Sequence, residues 1–435
     1  MESVSMKILE SLEKLNYEFK GFPSTEKPLA LNEIGQQKWS LLEGDLPLPV
    51  ATLKASILEN NSRWMRLFTK KYGAHIAPHG KTSMSPQLFQ RQMDDGAWAI
   101  TVANVHQLRL CRKWKIKRVL MANQVAGLQN LRELTNELAS DPELDFYILV
   151  DSVENVKQLA VAAKDQGLQN PIQVLVELGF PGGRTGCRNI KSALEVARIV
   201  KSLVPQVSLR GVEGYEALLR NRPNPEKSIR EFLLEIKELV NICTFEDLFA
   251  KGPVILSAGG SDFFDLVLQE LANPSKKREV ICVIRSGCYL THDSLNYQRI
   301  FERIRIRTPE VDEFKPALLP ALQIWGVIQS IPEPELCIVN IGKRDVSYDL
   351  EMPLPELTFR PGIDSIPQPL IGNCRVKELN DQHAYLEISE LNKLRVGDLL
   401  AFGISHPCTT FDKWRLLYLV DDYYNVIGAI RTYLA

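Results

Sequence analysis

Between about Ala74 and Leu290 the chain alternates short apolar, β-branched runs with longer amphipathic stretches of helical period, and no other feature narrows its possible folds as much. A strand buried on both faces reads as a near-continuous apolar run, and a parallel neighbour requires a crossover connection. The alternation therefore predicts repeated βα units around a parallel sheet. Eight runs can be counted: AHIAP (74–78), WAITVA (98–103), RVLMAN (118–123), FYILVD (146–151), QVLVEL (173–178), SLRGVE (208–213), PVILSA (253–258) and VICVIR (280–285). Eight is the number that closes a TIM (β/α)8 barrel. An open doubly wound sheet is the rival, but no run is followed by GxGxxG, and HGKTS follows the first. Between the runs, SVENVKQLAVAAKDQG and NIKSALEVARIVKSLVP read as helices, the second starting at a capping Asn189 and stopping before Pro205.

After about Thr308 the texture changes to Pro-bounded, strand-like runs without intervening helices: ALQIWGVIQSI, ELCIVNIG, QHAYLEIS, DLLAFGIS, RLLYLVD and VIGAIRTYL. This predicts a barrel over 51–307 and a second, all-β domain over 308–435, with residues 1–50 joined to the latter. The turn residues DDYYN between the last two runs predict an antiparallel hairpin.

Composition excludes several classes. Of 435 residues 45% are hydrophobic and 24% charged, which is the texture of a globular chain and not of a disordered one. Lys plus Arg number 52 against 53 Asp plus Glu, so no global charge excess draws the chain to nucleic acid or an anionic membrane. The eight cysteines are scattered without a CxxC pair, and read as free thiols of a reducing compartment. The opening MESVSMKILESLEKLNYEF lacks a basic start and an apolar core. Nor does any apolar run reach the roughly 20 residues of a membrane span, so a soluble, cytoplasmic protein is expected.

Barrel enzymes gather reactive groups at the C-terminal ends of their strands, and four such places carry chemistry here. Pro78-His79-Gly80-Lys81-Thr82 follows the first run and offers a lysine able to form a Schiff base, or merely a solvated loop lysine. Ser257-Ala258-Gly259-Gly260-Ser261 follows the seventh and precedes the helical FFDLVLQEL, so its amides suit a phosphate, although a plain βα turn uses the same residues. Arg285-Ser286-Gly287-Cys288-Tyr289 follows the eighth. It can complete the anion cradle through backbone N–H groups and the Tyr289 hydroxyl, with Arg285 donating to a ring nitrogen or held in an internal ion pair. Gly183-Arg184-Thr185-Gly186 follows the fifth and offers a guanidinium to a carboxylate. In the β region, Ser405-His406-Pro407-Cys408 sets an imidazole and a thiol two residues apart, able to share a catalytic zinc ion or to serve as a turn histidine and a core cysteine.

In that order PHGKT, GRTG, AGGS, RSGCYLTHD, IGKRD and SHPCTTFDKWR resemble the D-serine dehydratase and D-threonine aldolase-like family, especially its amino acid deaminase branch. The resemblance runs from about Ala74 to the C-terminus. It implies an alanine-racemase-type barrel binding pyridoxal 5'-phosphate, a β domain completing the site, and a homodimer. Lys81 resembles the lysine that anchors the cofactor, and His406 and Cys408 the ligands of Zn2+ or another divalent metal. Gly259, Gly260, Ser261, Gly287, Cys288 and Tyr289 resemble phosphate contacts, and Arg285 the arginine facing the pyridine nitrogen. His79, Arg184 and Tyr215 are further cofactor contacts under the same resemblance. The pattern departs at Ser83-Met84 and at Gly214-Tyr215, where the family's residues differ.

The implied chemistry is β-elimination of a D-3-hydroxy amino acid to a 2-oxo acid and ammonia, with Lys81 as base and the metal drawing off the hydroxyl. Cleavage of the Cα–Cβ bond, the aldolase outcome, uses the same groups. A non-catalytic cofactor-binding protein resembles the barrel alone.

Overall fold

The structure is a computed structural model, and it describes residues 14–272, 279–388 and 393–434. Residues 1–13, read above for a leader, lie outside the described residues. The chain divides into two compact units: 1–65, 82–91 and 288–435 form one, and 66–81 with 92–287 the other. It thus passes between units after residues 65, 81, 91 and 287.

The second unit holds eight parallel strands: His75–Ile76, Ile100–Val102, Arg118–Met121, Asp145–Val150, Ile172–Leu178, Val207–Gly214, Val254–Ala258 and Val280–Ile284. All eight correspond to runs read from the sequence. Neighbours in the sheet follow chain order, and the first strand pairs with the eighth. The sheet also closes on its other side. Trp98 N–H donates to Ile76 O (2.8 Å), Thr101 N–H donates to Pro78 O (2.9 Å), and His79 bridges Thr101 in parallel. Inside, Leu120, Tyr147, Leu149, Leu175, Ile255 and Val283 cluster with the small Ala77 and Ala99, which is the filled interior expected of a closed eight-stranded barrel. Crossover helices carry the predicted ends. Ser152 and Asn189 accept from Asn155 N–H and Ser192 N–H, and the helix Val153–Gln166 stops at Gly167, whose φ of 67° suits glycine.

The first unit is built on antiparallel pairs. Strand Leu322–Glu333 pairs with Leu399–Gly403 and Leu336–Val339, and Leu416–Val420 forms the predicted hairpin with Val426–Arg431. Strand Val50–Lys54 lies between Leu322–Glu333, antiparallel, and Leu416–Val420, parallel. Its Val50 joins a core with Phe19, Phe22, Leu41, Trp325, Tyr418 and Tyr424. The N-terminal segment, which shows no clear strand pattern of its own, thus supplies a central strand. Among the described residues no helix is long and apolar enough to cross a membrane.

Candidate active-site residues

In the barrel unit, polar side chains stand where strands five to eight end. Glu177 and Glu213 are register partners, as are Glu213 and Ser257. Arg285, just past strand eight, ion-pairs with Glu213 through one terminal nitrogen and donates through the other to Ser257 Oγ (2.9 Å). Ser257 Oγ in turn donates to Val283 O (3.0 Å). Both partners of the pair are buried, Arg285 at 6% and Glu213 at 1% exposure. Burial pushes the Glu213 carboxyl up, and the Arg285 guanidinium beside it pulls it down toward the ionised form.

The two loops proposed as one anion cradle are neighbours: Arg285 N–H donates to Gly259 O and Ser286 Oγ to Gly260 O, both at 2.9 Å. The amides of Gly259 and Gly260, however, do not stand free for a phosphate. They donate to Glu216 Oε2 (2.9 Å) and Oε1 (3.0 Å), because a carboxylate with no exposure must find donors within the fold. A phosphate bound through these two amides would have to displace Glu216. Gly260 still matters for space, since a Cβ there would sit 3.1 Å from the Tyr215 ring. Arg184 stacks over the same ring at 5.2 Å, so Tyr215, Gly260 and Arg184 form one wall.

Lys81 lies in a short 3-10 turn (Gly80–Thr82) after the first strand and is exposed. His79 is held well below the usual imidazole range by burial and then by Lys81, Arg285 and Arg184, so it is neutral at pH 7. Its Nδ1 is buried without a partner among the described residues. Three cations around a neutral imidazole make a mouth suited to an anionic ligand.

The β unit holds a separate cluster. Strand Leu399–Gly403 leads to Ser405, whose Oγ donates to Glu351 O (2.9 Å), and Pro407 opens the short helix Pro407–Phe411. That turn presents His406 and Cys408 together. His406 Nδ1 lies 2.6 Å from Asp349 Oδ2, and Thr409 Oγ1 donates to Asp349 Oδ1 (2.7 Å), so the ring is held by a carboxylate that is itself held. Cys408 Sγ lies 3.5 Å from Thr82 Oγ1 and 3.7 Å from Cys288 Sγ. Hydrogen bonding to Cys288 and His406 keeps the Cys408 thiol well below its ordinary range, and bonding to Cys408 raises His406 to about 9. Cys288, read as a phosphate contact, directs its sulfur into this cluster, and Tyr289 beside it is buried.

Residues 54–254 match the family described as "Alanine racemase, N-terminal domain", and residues 321–420 match "Putative serine dehydratase domain". A 3-hydroxy-D-aspartate aldolase of Paracoccus denitrificans is 24% identical over 86% of this chain and 88% of its own. These matches support the resemblance to the D-serine dehydratase and D-threonine aldolase-like family. Solved structures share its fold. The D-threonine aldolase of Filomicrobium marinum superposes with TM-score 0.72 at 20% identity, covering 90% of this chain and 96% of that one. The D-threo-3-hydroxyaspartate dehydratase of Delftia sp. HT23 gives 0.71 at 17% identity, covering 91% and 99%.

The residues present fit the groups this family fold suggests. A ring-bearing anionic cofactor would find Lys81, Arg184 and Tyr215 there, with two buried polar atoms left without partners, His79 Nδ1 and Glu213 Oε2. For a metal, His406 keeps Nε2 free of the Asp349 contact and Cys408 offers a thiolate, a soft and borderline donor pair. Among the described residues no group of three or more His, Cys, Asp or Glu side chains is arranged to hold a metal ion. Glu213, Glu216 and Asp349 were missed from sequence. The first left a signal, an acid at the end of a strand run, whereas Asp349 stands 57 residues from its histidine with none.

Proposed function

We propose that this chain is a pyridoxal 5'-phosphate- and metal-dependent lyase that converts D-serine or a related D-3-hydroxy amino acid to a 2-oxo acid and ammonia. The observation that carries the reading is the His406–Cys408 couple held by Asp349, a donor pair fixed within one turn. When bound, the cofactor supplies an electron sink for the substrate α-carbon and the divalent ion polarises the β-hydroxyl. Lys81 Nζ anchors the cofactor and then takes the α-proton. Arg184 binds a carboxylate, for which its planar fork is suited. Neutral His79 adds no charge beside Lys81. Asp349 fixes the His406 tautomer with Nε2 as the metal donor. A homodimer in the cytoplasm belongs to the same proposal.

Cleavage to glycine and an aldehyde is the second reading, favoured by the aldolase relative that matches most of the chain. Purified protein with pyridoxal phosphate and zinc is to be assayed against D- and L-3-hydroxy amino acids, scoring oxo acid, ammonia and aldehyde. Pyruvate and ammonia from D-serine, lost on chelation, is the expected result. Aldehyde and glycine would move the assignment to the aldolase reading, and a yellow but inert protein across the whole panel would replace it with a carrier role.

A further inference from the structure

The family resemblance assigns Arg285 to the cofactor's ring nitrogen, yet its two terminal nitrogens are already engaged by Glu213 and Ser257. Three carboxylates stand near the ends of strands five and six. Glu177 has both oxygens engaged, by Thr185 Oγ1 (2.8 Å) and the Gln124 amide. Glu216 has both engaged by the Gly259 and Gly260 amides. Only Glu213 among the three keeps an oxygen, Oε2, buried and without a partner among the described residues.

An unpaired carboxylate oxygen in such a place costs on the order of 1–3 kcal/mol, more when charged, unless a ligand brings a donor. A protonated pyridine nitrogen is a donor; an unprotonated one is not. We infer that Glu213 is the hydrogen-bond partner of the bound cofactor's ring nitrogen and keeps that nitrogen protonated, with Arg285 positioning the carboxyl. This rests on the cofactor assignment proposed above. A protonated ring withdraws electrons from the α-carbon more strongly, which suits expulsion of a hydroxyl from the β-carbon.

The test uses the full chain reconstituted with pyridoxal phosphate carrying 15N in the ring, observed by 15N NMR at neutral pH. The wild-type resonance is expected in the shielded pyridinium range. Glu213→Gln is expected to move it to the unprotonated range while the visible absorbance of bound cofactor persists, and Glu177→Gln to leave it in place. An unprotonated ring in the wild type would overturn the inference by itself, so the outcome does not depend on the variant folding. A Glu213→Gln resonance still in the pyridinium range would overturn it as well. If the wild type binds no cofactor, the proposed function fails and takes this inference with it; if cofactor binds and only the ring state disagrees, the inference alone fails.

Discussion

Asp293 shows how burial of one carboxyl writes a pH dependence into the fold. It has no exposure, its Oδ1 accepts from the Leu295 and Tyr297 N–H groups (both 2.9 Å), and burial raises it to about 7. A folded-state value above the unfolded value of 3.8 means that the folded form holds the extra proton between the two. Stability from this group is therefore full below the unfolded value and is lost as pH rises toward 7. His292 next to it, lowered to about 4 by burial, has the opposite slope between 4 and its ordinary 6.5, so the wild-type curve mixes the two. Asp293→Asn keeps the Oδ1 acceptor and removes the titration. Its urea midpoint is expected to match wild type near pH 4 and to exceed it above pH 7, by up to a few kcal/mol at about 1.4 kcal/mol per unit. Equal midpoints at pH 8 would contradict the account. Asp349 acts differently, through orientation. Asp349→Asn should weaken zinc binding about 10–100-fold with little change in the melting transition, read by competition against a chromogenic chelator.

At the scale of elements, close approach decides what is tolerated. Gly211 in strand six lies against strand seven so tightly that a Cβ would meet Ile255 O at 1.9 Å. Gly211→Ala is expected to destabilise at or beyond the upper end of about 1–3 kcal/mol, seen as lost soluble yield or a lowered melting temperature. Gly428→Ala, where the nearest atom is Leu419 Cδ1 at 3.7 Å, is expected to fold as wild type does. The barrel strands were legible because a strand buried on both faces is apolar throughout, a local property. Strand Val50–Lys54 was not, since its partners lie far along the chain, and Leu354–Phe359 was hidden by Pro355, where the ladder slips register against Leu399–Gly403. The site divides the same way. Lys81, His406 and Cys408 sit in motifs readable one at a time, whereas the Glu213–Arg285 pair and the Glu216 cap on the glycine loop exist only once distant strands lie side by side.

At the scale of the whole molecule, the β unit is discontinuous in sequence. A fragment of residues 308–435 lacks the strand that joins Leu322–Glu333 to Leu416–Val420 and the aromatic core contributed by Phe19 and Phe22. Expressed alone, it is expected to show no cooperative thermal transition by circular dichroism, whereas the full chain shows one; a sharp melt of the fragment would contradict this.

The same strand has a consequence during synthesis. Thr52 contacts Gln323, 271 residues later, and at about 5–20 residues per second a ribosome takes on the order of 15–50 s to cover that interval. Throughout that wait Val50–Lys54 has emerged with its apolar side chains and open backbone edge unmatched, while the barrel assembles from the residues that follow. Newborn chains are thus most vulnerable to mispairing near their beginning, and a holding chaperone would be needed there first.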